Sequence, residues 1–458
     1  MTKKDVDVLV VGAGPGGLAA AKAACENGAK KVVVLERNHY AGGILERCIH
    51  DGFGLIRYSQ ALTGPEYAIR AYSEAIKAGA DVLLGRHVTD ISEDKTVTAY
   101  TKNGPEKYKA KAIVLATGCR ERTRGSIAIP GSRPAGVFTA GVAQRLVNRQ
   151  NVMVGKNVVI LGSGDIGLIM ARRLTLEGAR VLAVAEIMPE PCGLARNVSQ
   201  CLYDYDIPLY VSTTVIDIIG KKRVEAVKLA KVDENKIPVP GTERLIECDT
   251  LILSVGLIPE NEVALTCGIS LNGNNGVITD EYLQTNIEGI FACGNSRHVM
   301  DLADYVSEQG ETAGKNSASY LLGTSMKSWD ESKSNCMKKG FPEEDTVTCS
   351  ICPNGCQVKY EKDYDSYSGN KCPRGVVFAR QEMSAPVRTV TTSIRSKGGR
   401  MLSVRSNGHV PKDEVRAFVQ AFSKTQSGTV FAGDRITVSL KNGSLAEMIV
   451  CDNICGGL

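Results

Sequence analysis

No apolar run in the 458-residue chain approaches the ~20 residues of a membrane span, so no spanning segment is expected. Neither sign of charge dominates: 55 basic residues against 50 acidic ones is too mild a balance to draw nucleic acid. The first apolar strand opens at Val6, leaving no room for a cleaved leader, and the cytoplasm is the expected compartment. An odd count of 15 cysteines argues against a disulfide framework and for thiols kept in a reducing interior. The remainder is an ordinary globular composition, 43% apolar and 23% charged, with length for about three domains of ~150 residues.

The stretch Val6 to Glu36 organises the rest. Val6 to Val11 is a short β-branched run suited to a buried parallel strand, and Gly12-Ala13-Gly14-Pro15-Gly16-Gly17 then satisfies G-x-G-x-x-G. Gly12 permits the tight turn, Gly14 lets a pyrophosphate approach the backbone, and Gly17 lets helix and strand pack closely. An alanine-rich helix ends near Gly28. The next strand, Val32 to Leu35, delivers Glu36, 24 residues after Gly12, where a carboxylate can accept ribose hydroxyls.

Further along, Asp81 to Ile91 reads as a strand of the same sheet, and Ile113 to Gly118 as a strand ending in Ala116-Thr117-Gly118. The Arg-, Gly- and Pro-rich segment from Cys119 to Val137 reads as a crossover. The opening pattern then repeats. Asn157 to Leu161 is a strand, Gly162-Ser163-Gly164-Asp165-Ile166-Gly167 the loop, and Val181 to Ala185 a strand ending on Glu186, again 24 residues after the first glycine. Two nicotinamides would have no chemistry to exchange, so FAD is assigned to the first fingerprint and NAD(P) to the second. Glu186 would bind a ribose 2′-hydroxyl and repel a 2′-phosphate, which favours NAD(H) over NADP(H), with Arg180 as the one nearby cation that could argue otherwise. Thr250 to Gly256 is a strand leading into a turn at Pro259. Thr285 to Asn295 gives a final strand and glycine turn, and a helix follows from about Ala303 to Leu322.

Near the C-terminus, Cys349, Cys352, Cys356 and Cys372 have the spacing C-x2-C-x3-C-x15-C, a ligand set for a [4Fe–4S] cluster or for zinc. Three ligands in one tight loop with a distant fourth favour the cluster over paired zinc knuckles. Cys451 and Cys455 are substitute ligands or spare thiols.

Taken in order, Gly12/Gly14/Gly17, Ala116-Thr117-Gly118, Gly162/Gly164/Gly167, Gly256 with Pro259, and the turn Gly289-Ile290-Phe291-Ala292-Cys293-Gly294-Asn295 resemble the pyridine nucleotide–disulfide oxidoreductase superfamily over residues 5–322. The family usually has Asp where this chain has Asn295, and an amide can still hold a ribityl hydroxyl. The resemblance implies an α/β fold of two Rossmann-like domains plus a small C-terminal α+β domain. The FAD domain would be discontinuous, 1–120 and 275–325, with the NAD(P) domain, 121–274, inserted. A charged linker, 326–345, and a cysteine-rich domain, 346–458, would follow. Arg37, Gly43 and Val88 complete the candidate FAD contacts, and Gly256 those of NAD.

Disulfide reductases of the family carry a C-x4-C pair after the Gly-Gly, where this chain has Leu45 and a single Cys48. One thiol cannot form the relay disulfide. Cys48 and His50 remain the candidate catalytic side chains near the isoalloxazine, although hydride transfer between nicotinamide C4 and flavin N5 needs position more than an acid or base.

The motifs Gly42-Gly43-Ile44-Leu45, Cys48-Ile49-His50, Gly52-Phe53-Gly54-Leu55 and His298 to Asp304 resemble a subgroup of flavoproteins associated with anaerobic glycerol-3-phosphate dehydrogenase. The tail, through Cys372-Pro373-Arg374-Gly375, Glu382 and Ala385 to Arg388, resembles the cysteine-rich domain fused or adjacent to them. This implies an electron-transfer or substrate-oxidising partner subunit, and an oligomer is expected.

Overall fold

The structure is a computed structural model and describes residues 3–334, 337, 339–396, 399–423, 425–427, 430–440 and 445–452. Among these the α-helices are α1 (Pro15–Glu26), α2 (Gly64–Lys77), α3 (Ala140–Gln150), α4 (Asp165–Leu176), α5 (Ala195–Cys201), α6 (Glu262–Leu265), α7 (Ala303–Leu322), α8 (Pro373–Ser384) and α9 (Val415–Ser423). The described residues divide into two compact units: those within 3–120, 257–334 and 452 form the first, and those within 121–256 and 337–451 the second.

The first unit is built on a parallel sheet whose strands run in the order Asp81–Leu84, β2 (Val32–Glu36), β1 (Lys3–Val11), Gly104–Leu115 and Ile290–Ala292. The strand expected over residues 81–91 is two strands. Gly85, at φ +67°, turns the chain, and its N–H and that of Arg86 bond to Asn38 O and Glu36 O; His87–Ile91 then pairs antiparallel with Thr96–Thr101. Both sheet faces are covered, so the strands are apolar throughout. Val8, Val10 and Val34 face α1, α2 and α7, while Leu9, Val11 and Leu35 face the antiparallel meander.

Helix α7 crosses α1 at backbone contact. A Cβ on Gly310 would stand 2.1 Å from Gly16 O, and one on Gly314 2.0 Å from Ala20 O. At the end of this unit the buried Asn316 amide donates to Tyr282 O (2.7 Å) and Lys327 O (2.8 Å) and accepts from Lys327 N–H (2.8 Å). Trp329, also buried, donates its backbone N–H to Glu281 O at 2.8 Å. Residues 326–329, expected to open a linker, are therefore docked.

The second unit repeats the sheet plan: Leu209–Tyr210, Arg180–Ala185, Asn157–Leu161, Thr250–Leu253 and Val137–Thr139, all parallel. An antiparallel sheet of Thr213–Ile219, Ala226–Lys231 and Arg244–Glu247 is attached. The tail adds a small sheet (Val347–Thr348, Gln357–Glu361, Ser366–Ser368), α8, and a five-stranded sheet flanked by α9.

Two polar anchors join tail to nucleotide fold inside this unit. Arg388 forks onto Asp204 (2.8 and 3.1 Å) and onto Glu382 (2.6 Å twice), and Lys412 reaches the same Asp204 at 2.7 Å. Arg173, on α4 and buried, donates to Asn148 Oδ1, Thr392 Oγ1 and Ser393 Oγ and pairs with Glu177 at 2.8 Å. Burial works against the Asp204 carboxylate, yet the Arg388 and Lys412 bonds outweigh it and hold its pKa below the ordinary value.

Besides the docked residues 326–329, the units differ from the expected domain boundaries in two places. Residues 257–274, drawn with the NAD domain, group with the first unit, because Arg37 forks onto Glu260, Glu260 N–H bonds to Gly118 O, and Ala264, Cys267 and Ile269 enter the core that holds Val88. The cysteine-rich tail, drawn as a body of its own from residue 346, groups with the second fingerprint through the anchors just described.

Candidate nucleotide sites and cysteine cluster

The two fingerprint loops follow β1 and the strand Asn157–Leu161, and sequence dictates their shape in the same way. Gly12 (φ +102°) and Gly162 (φ +97°) make the turn; a Cβ there would meet Ala116 O at 2.5 Å and Ser254 O at 2.1 Å. A Cβ on Gly17 would meet Gly12 O at 1.9 Å, and one on Gly167 would meet Gly162 O at 2.7 Å. Gly14, by contrast, has nothing within 4 Å of its Cβ position, and Gly164 only Ser254 at 3.5 Å or beyond. The glycines that close the fold are crowded; the one that should face a pyrophosphate is open. Both helices present N-terminal N–H groups at that opening.

The terminal glutamates repeat atom for atom. Glu36 Oε2 accepts from Ala13 N–H (2.9 Å) and its Oε1 from Asn38 N–H (2.8 Å). Glu186 Oε2 accepts from Ser163 N–H (2.8 Å) and its Oε1 from Met188 N–H (2.9 Å). Both carboxylates are buried and fixed at the carboxyl ends of their strands. Arg180 opens the strand that Glu186 closes, so its guanidinium belongs to the opposite edge of the sheet. There it lines a shallow cavity with Asn157, Glu225, Glu247 and Asp249.

In the first unit, Gly43 (φ +60°) lies against Gly14, and Gly42 N–H bonds to Ala13 O at 2.7 Å. Gly118 (φ +75°) is open, and Thr117 Oγ1 lies 3.4 Å from Asn261 Oδ1. Ala116 packs beneath Gly12 and Gly17. Asn295 Oδ1 accepts from Met300 N–H (3.1 Å), while its amide nitrogen makes a long contact to Cys119 Sγ at 3.5 Å, weak enough for it to turn to a ribityl hydroxyl. The neighbouring Gln309 was not foreseen from the sequence. It is fully buried, accepts from Gly294 N–H at 2.7 Å, and its Nε2 has no partner among the described residues. An open Gly14, a fixed Glu36 and an orphaned donor beside Gly294 fit a dinucleotide with a polar ring system. Val88 is a core residue of a strand that flanks Glu36. Arg37 is committed to Glu260, which raises its already high pKa, and Gly256 (φ +102°) sits in the second unit beside Arg122.

Cys48 is buried where the turn Gly43–Arg47 meets α2; its carbonyl accepts from Gly64 N–H at 2.9 Å, and a Cβ on Gly64 would touch its side chain. His50 is half-buried against the Phe53 ring. This placement buries the Cys48 side chain in the first unit.

The small antiparallel sheet brings Cys349 and Cys356 together and carries α8, which begins just after Cys372, on the same strands. The register Thr348↔Gln357 sets Cys349 opposite Cys356, whose carbonyl accepts Cys349 N–H at 2.8 Å. Cys372 caps α8, which packs on the same strands through Ala379 and Val358. Burial, and then the negative charge of Cys352, Cys356 and Cys372, push the Cys349 thiol up, whereas Arg374 and the Gly375 N–H pull Cys372 down. Among the described residues no three His, Cys, Asp or Glu side chains close to metal-ligand geometry. Cys451 is buried in the five-stranded sheet, bonded through its N–H to Ser403 O, and Cys455 lies outside the described residues. No described helix is long and apolar enough to cross a membrane.

Two matched nucleotide frames, each ending on a buried glutamate, define a dinucleotide-dependent oxidoreductase. The profile of the family described as "Pyridine nucleotide-disulphide oxidoreductase" matches residues 6–310, and the chain belongs to that family. It is an FAD-dependent NAD(P)H oxidoreductase. A second profile, "Protein of unknown function (DUF1667)", matches residues 373–443. The chain is 28% identical to a thioredoxin reductase of Listeria innocua over 70% of its own length and 95% of the relative's. It is 25% identical to a ferredoxin–NADP reductase of Picrophilus torridus, over 68% and 88%. The crystal structure of T. acidophilum thioredoxin reductase shares the fold, with a TM-score of 0.57 and 24% identity over 70% of this chain and 99% of that one.

Proposed function

We propose that the protein passes electrons between NAD(H) and a redox partner by way of FAD, with Cys349, Cys352, Cys356 and Cys372 as ligands of a [4Fe–4S] cluster. The observation that carries the nucleotide reading is Glu186, buried and anchored on both oxygens at the end of its strand, with Arg180 removed to the other end. A carboxylate in that place accepts ribose hydroxyls and repels a 2′-phosphate, so NADH is preferred to NADPH. Bound FAD would supply the two-electron chemistry that a nicotinamide requires and the one-electron chemistry that a redox partner requires. The chain's own work is to cradle each pyrophosphate at Gly14 and Gly164, to fix each ribose at Glu36 and Glu186, and to hold the flavin side with Asn295 and Gln309. The antiparallel pairing of Cys349 with Cys356 and the capping position of Cys372 support one four-thiolate centre. An iron–sulfur cluster there would supply one-electron transfer; zinc would supply rigidity alone.

The partner in this reading is a subunit oxidising glycerol 3-phosphate in the cytoplasm, which rests on the subgroup motifs and the fused tail. The test is anaerobic purification with a visible spectrum and iron, sulfide and zinc assays on one sample. About four iron and four sulfide with a shoulder near ~400 nm support the cluster; one zinc makes the tail structural. NADH oxidation with a dye acceptor tests the flavin half separately, and reduction by glycerol 3-phosphate in the presence of a co-purified subunit tests the partner.

A further inference from the structure

The two fingerprints differ in how the loop after each glutamate is held. In the first unit the loop 37–43 is fastened by Gly42 N–H on Ala13 O, by the Asn38 amide on Glu36 and by Arg37 on Glu260. In the second, Ser163 stands where the first has Ala13, and its hydroxyl donates to Glu186 Oε2 (2.6 Å) while accepting from Cys192 N–H (2.9 Å). Asp165 Oδ1 accepts from Leu194 N–H and from Asn197 Nδ2, each at 2.8 Å. Gly193 is pressed onto the fingerprint so closely that a Cβ would meet Ser163 O at 2.8 Å and Asp165 Oδ1 at 2.9 Å.

The outer side of that loop is covered by the tail. Lys339 pairs with Leu194 in an antiparallel bridge, and Gly340 N–H donates to Gly193 O at 3.3 Å. Helix α5, which continues from Leu194, packs on Val347–Thr348 immediately before Cys349. The loop 187–194 is thus a layer between the second fingerprint and the C-terminal segment, and it carries the N–H groups that orient Glu186 and Ser163.

We propose that the C-terminal segment is a working part of the second nucleotide site. Lys339 and Gly340 act as positioning residues that hold the loop 187–194 on the fingerprint, so nucleotide affinity depends on the tail. This rests on the second fingerprint being the nicotinamide site. Coupling of this kind is reciprocal: if the tail tightens the nucleotide, the nucleotide must tighten the tail.

The test uses the full chain. Gly340→Pro removes the donated N–H and cannot adopt the φ of +112° seen there. The expected result is a rise of about tenfold in KM for NADH with kcat within about twofold and an unchanged flavin spectrum, the pattern of lost ground-state binding. Ser163→Ala should move KM the same way, and Ser163→Thr, which keeps the hydroxyl, should restore it. An unchanged KM in Gly340→Pro overturns the proposal. Should that variant not fold, hydrogen exchange on the native chain decides. Slower exchange at residues 337–341 on adding NADH supports the coupling, and exchange indifferent to NADH at saturation refutes it. Failure of the underlying reading looks different: the native chain would then neither bind nor oxidise NADH.

Discussion

Replacing Arg388 by alanine strips both acids of their shared cation. The Arg388 side chain is 10% exposed, Asp204 7% and Glu382 20%, so two largely buried carboxylates would lose four charge-assisted bonds. Removing one partner of a buried ion pair costs about 3–5 kcal/mol. Here Lys412 still reaches Asp204 at 2.7 Å, and Glu382 can turn toward water, which places the loss near the lower end, about 3 kcal/mol. For a unit of this size each kcal/mol lowers Tm by about 2–4 °C, giving an expected fall of about 6–12 °C in the transition of the second unit. Calorimetry on the full flavin-loaded chain would resolve it, with flavin absorbance as the internal reference. Arg388→Lys keeps charge but loses the fork and should fall about half as far. A shift of less than about 2 °C in Arg388→Ala would refute the claim that this residue fastens the tail.

The same anchor sets an acid limit. Asp204 has a depressed folded pKa, so its contribution is complete above the unfolded value of about 3.9 and is lost as pH falls through the folded value; tail docking, followed by limited proteolysis, should hold at pH 7 and weaken below about pH 4. Gly314→Ala places a methyl 2.0 Å from Ala20 O, forcing α7 off α1, and should cost about 1–3 kcal/mol with loss of bound flavin on gel filtration. Glu186→Gln should narrow the preference for NADH over NADPH by about tenfold, read as the ratio of kcat/KM values, because a neutral amide no longer repels a 2′-phosphate. Cys349→Ser should lower iron content per flavin if the four thiols hold a cluster, and leave it unchanged if they do not.

Much of the nucleotide architecture was legible because it is local. Glycine spacing, an apolar strand before it and an acid at the end of the next strand sit within one βαβ unit, and α7 runs from Ala303 to Leu322 as expected. What escaped depends on long-range pairing. The break at Gly85 follows from bonds to Glu36 and Asn38, and the grouping of residues 257–274 follows from Glu260 meeting Arg37 and Gly118. The tail's attachment hangs on Asp204 and Arg173, two charged residues that look like ordinary surface positions on their helices until Arg388, Thr392 and Ser393 arrive. Gln309 had no signal in the sequence; one glutamine in a polar helix becomes informative only when its burial and its unpaired nitrogen are known.

The backbone contact between α1 and α7 bears on how the chain is made. Gly16, in α1, needs Gly310 as its neighbour, and roughly 300 residues separate them, about 15–60 s of synthesis at ordinary rates. During that interval the first sheet also lacks its strand Ile290–Ala292, and the apolar face of α1 that packs on α7 has no cover. The parallel sheet of the second unit, contained in residues 137–253, is complete well before then. Neither nucleotide fold therefore closes on its own stretch of chain: the first waits for α7, and the second for Arg388, Thr392 and Ser393, made later still.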